Sequence, residues 1–600
     1  MKSAWKLCAI LFVATLPLAA QTSTPSKPKK AKSAPVTAAD VQALKDAIAA
    51  QQSALAAQQQ QIQALQDQLR SKDQAVQQAQ TAASDASSKA DAAQSQATQQ
   101  QQSVTELKGD VADLKTNVNN TALSLQDTQK NVNSAMESPL ALHFKGITIT
   151  PGGFLAAESV RRSRALASDV NTPFNSVTVP GASQSSLSEF FASGRQSRVS
   201  MLAEGSVKGA KLAGYVEADF LSAGVTSNSN GSNSYTLRQR QAWGQVTLDN
   251  GFSVTGGQMW SLATETKHGV DNRTEALPMT IDANYSVGFT WARQYGLRIA
   301  QNFNNKFWLA ASIENSQATL TSHGNASNFL VGSIGTLGGL YNNQANYSFN
   351  PAPDVIVKAV WEPGFGHYEV FGIYSRFRDR VFPCAEVAKG GTCAGLATAS
   401  VTGSFNSSTD GGGVGANARW SFYNKHVDFG LHGFLDRGLG RYASGGLPDT
   451  AVHANGTLDL IRNYQGLATL EWHGPKLDIY ANVGAEYARR TDDFDPISLK
   501  QVGYGAPSFD NTGCFTEVLP GSGGFAPGTP ATGTCTADTR SLVEGTIGFW
   551  HRIYSGPKGR LQWGPQFSYV NRDTWFGKSA PNQPHGLDGM IFTSLRYYLP

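Results

Sequence analysis

Two periodicities in one chain predict a transmembrane β-barrel of about 16 antiparallel strands preceded by a long α-helical coiled coil. An apolar residue recurs at every seventh position from Val41 to Val132, whereas beyond Pro139 apolar and polar residues alternate in short runs. Short turns and long links then take turns between those runs, the connection pattern of a membrane barrel. After the N-terminal segment no apolar run reaches about 18 residues, so a bilayer crossing must be made by strands. Composition agrees: 60 Gly, 10% aromatic and only 16% charged residues in a chain of 600 suit strands and polar loops better than packed helices.

Residues 1–20 read as a secretory signal. Lys2 and Lys6 supply the positive start, residues 7–16 the apolar stretch, and Ala19 and Ala20 the small residues before a mature start at Gln21. Residues 21–40 are a linker, because Pro25, Pro28 and Pro35 interleaved with Lys27, Lys29, Lys30 and Lys32 can neither form a helix nor bury a core. Its lysines are read as a solvated tether, with an anionic surface such as the cell wall as the alternative.

Residues 41–138 form the coiled-coil stalk. One heptad position is filled in turn by Val41, Ile48, Leu55, Ile62, Leu69, Val76, Ala83, Ala90, Ala97, Val104, Val111, Val118, Leu125 and Val132. The companion position is mixed, with Leu44, Leu65, Leu107 and Leu114 but also Gln51, Gln58, Lys72, Gln100 and Thr121. A lone helix has nothing to bury such a seam against, so the stalk predicts a homo-oligomer. At about 1.5 Å per residue it would be a spacer roughly 145 Å long, with a weaker alanine-rich middle.

Residues 139–600 form the barrel. Clear alternating segments are 212–220, 237–248, 307–314, 355–361, 368–374, 427–435, 466–472, 477–487, 561–569 and 589–599, with weaker ones near Ile147, Val199, Val254, Leu297, Val414 and Ile547. In 477–487, Leu477, Ile479, Ala481, Val483, Ala485 and Tyr487 face lipid and Asp478, Tyr480, Asn482, Gly484 and Glu486 the interior. Turns such as Asp249-Asn250-Gly251 and Gly474-Pro475-Lys476 alternate with long links at 222–236, 261–288, 316–353, 379–411, 437–462, 489–540 and 571–586. An even strand count leaves both ends on the short-turn side. Trp and Tyr near strand ends fit interfacial girdles. Cys384 with Cys393 and Cys514 with Cys535 are two close pairs in long links, read as disulfides of an oxidising compartment. A soluble β-sandwich is the competing fold.

The stretches Gly194-Arg195-Gln196-Ser197-Arg198, Leu237-Arg238-Gln239-Arg240-Gln241-Ala242-Trp243-Gly244 and Gly257-Gln258-Met259-Trp260, set after a coiled coil, resemble the outer-membrane porins, and among them the DcaP-like porins. The resemblance implies a trimer in outer-membrane lipid, a periplasmic stalk, and passive diffusion of small hydrophilic, often anionic, solutes. Barrels of this kind end on an aromatic residue, whereas this chain ends Tyr597-Tyr598-Leu599-Pro600. It also implies that the third long link, 261–288, folds inward and narrows the pore, bringing Glu265, Lys267, Asp271, Arg273 and Glu275 opposite Arg198, Arg238, Arg240 and Arg298. Acids facing guanidinium groups sort solutes by charge, giving an anion-favouring constriction; the plain alternative is that these charges only solvate a polar lumen.

No metal or cofactor motif appears, and the four cysteines lack the His or CxxC spacing of a metal site. No nucleophile pairs with His268, His453, His551 or His585, which argues against an enzyme. A net charge of +4 gives no basis for nucleic-acid binding. The rival reading is a structural or adhesive anchor whose stalk tethers the outer membrane to the cell wall, with peptidoglycan as partner.

Overall fold

The computed structural model describes residues 141–221, 235–321, 329–331, 347–383, 403–517, 519, 535–578 and 583–600, together with 42, 45–47, 49–53 and 55. The chain divides into two units, residues 1–131 and 132–600. In the first, the described residues are helical and solvent-exposed, and Leu55 of the heptad row is 60% exposed. The signal segment, the linker, the rest of the stalk, and Cys384 and Cys393 lie outside the described residues.

The second unit is a closed antiparallel barrel of sixteen strands: β1 Ile147–Arg162, β2 Arg198–Val207, β3 Ala210–Asp219, β4 Arg238–Leu248, β5 Phe252–Trp260, β6 Arg293–Phe303, β7 Phe307–Glu314, β8 Asp354–Trp361, β9 His367–Pro383, β10 Phe405–Phe422, β11 Val427–Arg437, β12 Arg462–His473, β13 Leu477–Ala488, β14 Thr539–Gly556, β15 Gly559–Thr574 and β16 His585–Tyr598. Each pairs with its sequence neighbour, and β16 closes on β1 from Phe154↔Tyr598 to Arg162↔Met590. Closure removes every sheet edge, which is what lets a β structure sit in lipid without orphaned backbone groups. Three short strands extend the wall, Leu142–Phe144 and Glu189–Ser193 against β1 and Phe329–Val331 against β9.

Side chains alternate as the pleat requires. On β13, Ile479 and Val483 are 41% and 62% exposed on the outer wall, while Tyr480 and Glu486 are 1% exposed inside. The turn between β6 and β7 puts Asn304 and Asn305 at φ 56° and 53°, the left-handed pair of a tight hairpin whose twist matches the strands.

The segments read from alternation are all strands, with two differences at the long-loop end. The link expected at 379–411 is shorter, because β9 and β10 stay paired out to Val381↔Phe405. There the outward positions are Arg376, Arg378 and Arg380, so the apolar alternation vanishes while the ladder continues. A further long link, 163–197, joins β1 to β2. We number the eight links of this end L1 to L8, with L1 163–197, L3 261–292, L6 438–461 and L7 489–538.

Several loops turn into the barrel. Phe174 and Val177 of L1, Ile281 and Val287 of L3, and Leu447 and Ile461 of L6 share one buried cluster with inward residues such as Val160, Tyr480 and Phe592. The apolar core therefore lies inside the barrel, beneath its loops. Cys514 and Cys535 form a disulfide in L7, Cα atoms 4.8 Å apart, and the carbonyl of Cys514 accepts the Gly181 amide of L1 at 2.6 Å.

Candidate functional site: the inner loop and the arginine-lined lumen

L3 enters the lumen after Trp260, and its first half is a hairpin in which Lys267 N–H donates to Thr274 O at 2.6 Å and Ala276 N–H to Glu265 O at 2.8 Å. The loop is fastened by side chains such as Glu265 and Thr280 and by a series of its own backbone amides, whose acceptors are mostly carboxylates of the barrel wall. Leu262 donates to Glu314 at 2.9 Å, Thr266 to Glu369 at 2.9 Å, Val287 to Glu544 at 2.8 Å and Gly288 to Glu486 at 2.8 Å. Met279 donates to Glu471 at 3.3 Å, and Ile281 to the Gln566 side chain at 2.6 Å. The hairpin tip reaches the short-turn end, where Gly269 donates to Glu362 at 2.6 Å. Charge-assisted bonds of this type are about twice as strong as neutral ones, and a buried amide left without one is costly. Small wall residues let the backbone come this close: a Cβ on Gly484 would sit 1.8 Å from Val287 O, and one on Gly288, at φ 81°, 2.1 Å from Gly466 O.

Of the loop residues singled out from sequence, Glu265 is buried and pairs with Arg419 of β10 at 2.9 Å. Burial raises its carboxyl above the usual range, with Arg419 pulling the other way. It anchors the loop and does not face a passage. Lys267, Asp271 and Arg273 are exposed on the hairpin, Arg273 stacking over Tyr215 at 5.0 Å, and Glu275 is half-buried beside it. Asp282, which sequence reading passed over, accepts the Thr172 and Asn284 amides at 3.1 and 2.8 Å and joins L3 to L1; burial raises its carboxyl too.

Among the strand arginines, Arg298 lies under L3, donating to Asn272 Oδ1 at 2.9 Å and to Trp260 O at 2.5 Å. Arg198, Arg238 and Arg240 gather around two acids of β3 that the sequence reading missed. Arg238 grips Asp219 through two 2.9 Å bonds, Arg240 reaches both Glu217 and Asp219 at 2.6 Å, and Arg198 lies 3.6 Å from Glu217. A β-bulge makes this possible: Glu217 pairs with Gln241 and Ala218 with Gln239, so Arg240 is the extra residue and both it and Gln241 are buried inside. Tyr215, Glu217 and Asp219 alternate in sequence, the signal from which the partners could have been found.

Between residues 277–285 of L3 and the wall remains a space of about 290 Å³. Its lining includes Arg198, Arg240, Arg560 and Arg596, with Asp282 and Asp478 as the acids. Arg596 is held by Glu158 at 2.8 Å and lies over the Trp550 and Phe154 rings. Asp478 is already paired with Arg552 at 3.0 Å. Arg560 stacks on Tyr598 at 4.2 Å and has no carboxylate partner among the described residues. Arg560 and Arg596 were not singled out from sequence, since they sit near strand ends away from any motif.

A closed sixteen-stranded antiparallel barrel with a long loop folded across a charged interior is a porin-type barrel. No family model and no curated protein matches the chain. Among solved structures, the outer membrane channel DcaP of Acinetobacter baumannii has this fold, with a TM-score of 0.50 at 15% identity over 76% of this chain and 99% of that one. The barrel is DcaP-like. The anion-selective porin from Comamonas acidovorans gives a TM-score of 0.39 at 8% identity over 76% of this chain and all of that one. The trimer form of OmpT from Vibrio cholerae gives 0.39 at 10%, with the same coverage.

Proposed function

We propose that the protein is an outer-membrane porin, a homotrimer whose barrels let small hydrophilic solutes diffuse passively and favour anions. The observation that carries the reading is the arginine lining of the space beside L3: Arg198, Arg240 and Arg596 are held there by Glu217, Asp219 and Glu158, Asp478 is engaged by Arg552, and Arg560 has no carboxylate partner among the described residues. In a low-dielectric setting such fixed charges act on a passing ion far more strongly than in water. The stalk and its lysine-rich linker would lie on the periplasmic side, where contact with peptidoglycan is a second role beside conduction.

Planar-bilayer recording under a salt gradient tests the proposal. Reversal potentials should show anion preference that declines in Arg560→Gln and declines further when Arg198→Gln is added. Cation preference in the wild type, or no shift in the double variant, overturns the anion reading; insertion without current steps overturns the pore and leaves the tethering anchor. Deleting residues 41–135 checks the stalk, since tethering requires that cell-wall pull-down be lost.

A further inference from the structure

The lipid-facing wall carries a row of arginines that nothing in the lumen explains. Arg437 at the end of β11 stands directly opposite Arg462 at the start of β12, and Arg489, two positions beyond Tyr487, continues the ladder by donating its amide to Arg462 O at 2.8 Å. All three side chains are exposed on the outer face, and among the described residues none makes an ion pair or a side-chain hydrogen bond. The acids nearby are Asp410, paired with Arg376 at 3.8 Å, Asp459 of L6, whose charge reaches Arg437, and Asp492 and Asp493 close to Asp459; none of them forms an ion pair with the row. Like charges set opposite one another across strands are destabilising unless a counter-charge is supplied.

The level of the row on the wall identifies the counter-charge. One outward position below it, on the short-turn side, come Leu435, Tyr464 and Tyr487, which pair with each other across the strands, and below those Gly433, Gly466 and Ala485 lead into the apolar band. Tyrosines at that height are an interfacial girdle, so the arginines above them stand among the headgroups. Beside Arg437 and Arg462 a groove of about 470 Å³ runs down the outer wall over Gly412, Val414, Leu435 and Tyr464, a polar top and an apolar floor in one recess.

We propose that this wall binds the anionic, phosphate-bearing headgroup of a membrane lipid in the leaflet on the long-loop side, with Arg437, Arg462 and Arg489 on the phosphate and an acyl chain in the groove. Planar guanidinium forks suit phosphate oxygens, and a charge near a membrane surface contributes about fivefold in affinity.

The test uses the purified full chain in a neutral detergent, titrated with phosphatidylglycerol or phosphatidylcholine and read by native mass spectrometry. Wild type should retain phosphatidylglycerol preferentially, and the variant R437Q/R462Q/R489Q should lose about a hundredfold in that affinity. The variant R437K/R462K/R489K, which keeps the charges and loses the planar forks, should fall between the two, separating lost charge from a disturbed wall; a heat-shifted gel band checks that all barrels are closed. Equal retention of the two lipids, or no loss in the glutamine variant, overturns the proposal. Displacement of phosphatidylglycerol by millimolar inorganic phosphate also overturns it, because the row would then be a site for free anions.

Discussion

Replacing Glu369 by Gln should unfasten the first half of the inner loop while leaving the barrel closed. Glu369 accepts the Thr266 amide at 2.9 Å and its hydroxyl at 2.6 Å, and the same carboxylate faces Lys358 at 2.8 Å, His367 at 2.9 Å and Asn417 at 2.5 Å. Lys358 and Glu369 side chains are both fully buried, so the substitution strands an ammonium whose other partner is Thr264 O at 2.8 Å. Breaking one member of a buried ion pair costs about 3–5 kcal/mol. Because the wall ladder does not depend on this side chain, most of that cost should fall on loop docking and raise the undocked population by two to three powers of ten, at about 1.4 kcal/mol per power. The assay is single-channel recording alongside proteolysis of residues 261–292, with the heat-shifted gel band as the control for a closed barrel. Larger, noisier current steps and faster cleavage are expected. Adding Lys358→Gln removes the stranded charge and should recover much of the effect. If Glu369→Gln leaves noise and cleavage at wild-type values, wall carboxylates do not hold the loop.

Gly288→Ala puts a Cβ 2.1 Å from Gly466 O at a left-handed φ, so it should cost about 1–3 kcal/mol at the second loop anchor and speed hydrogen exchange in 285–290 without opening the barrel. Arg240→Ala should leave Glu217 and Asp219 facing Arg238 and Arg198 alone, shifting reversal potentials towards cations; an unchanged potential would place this bulge outside the conducting path. Asp282 binds its proton more tightly in the docked loop than in the unfolded chain, so its contribution favours docking at low pH and is lost as pH rises through the raised value. Hydrogen exchange across 277–285, corrected for intrinsic rates, should therefore depend on pH less steeply in Asp282→Asn.

The strand count was legible because lipid outside and water inside impose alternation on every segment, as in 477–487. It failed where the ladder leaves the membrane: Arg376, Arg378 and Arg380 no longer need to be apolar, although the backbone pairing of β9 and β10 goes on. The inward loop was legible by resemblance, its anchors were not. Glu314, Glu369, Glu486 and Glu544 look in sequence like residues that wet a pore, and nothing local shows that each receives a backbone amide from a loop far away in the chain. The arginines of β2 and β4 stood out, yet the bulge that turns Arg240 and Gln241 to the same side depends on pairing with β3, which a single strand cannot reveal.

Where a loop is docked by its amides, the contact is indifferent to the side chain that follows each N–H. Glu314, Glu544 and Glu486 bond Leu262, Val287 and Gly288 through N–H donors alone, whereas Glu369 takes both the amide and the hydroxyl of Thr266, so at positions 262 and 287 another residue would keep the same bond. The wall thus acts as a fixed socket. Residues on the exposed hairpin, among them Lys267, Asp271 and Arg273, lie outside those contacts, so exchanging them leaves the docking chemistry on the strands in place.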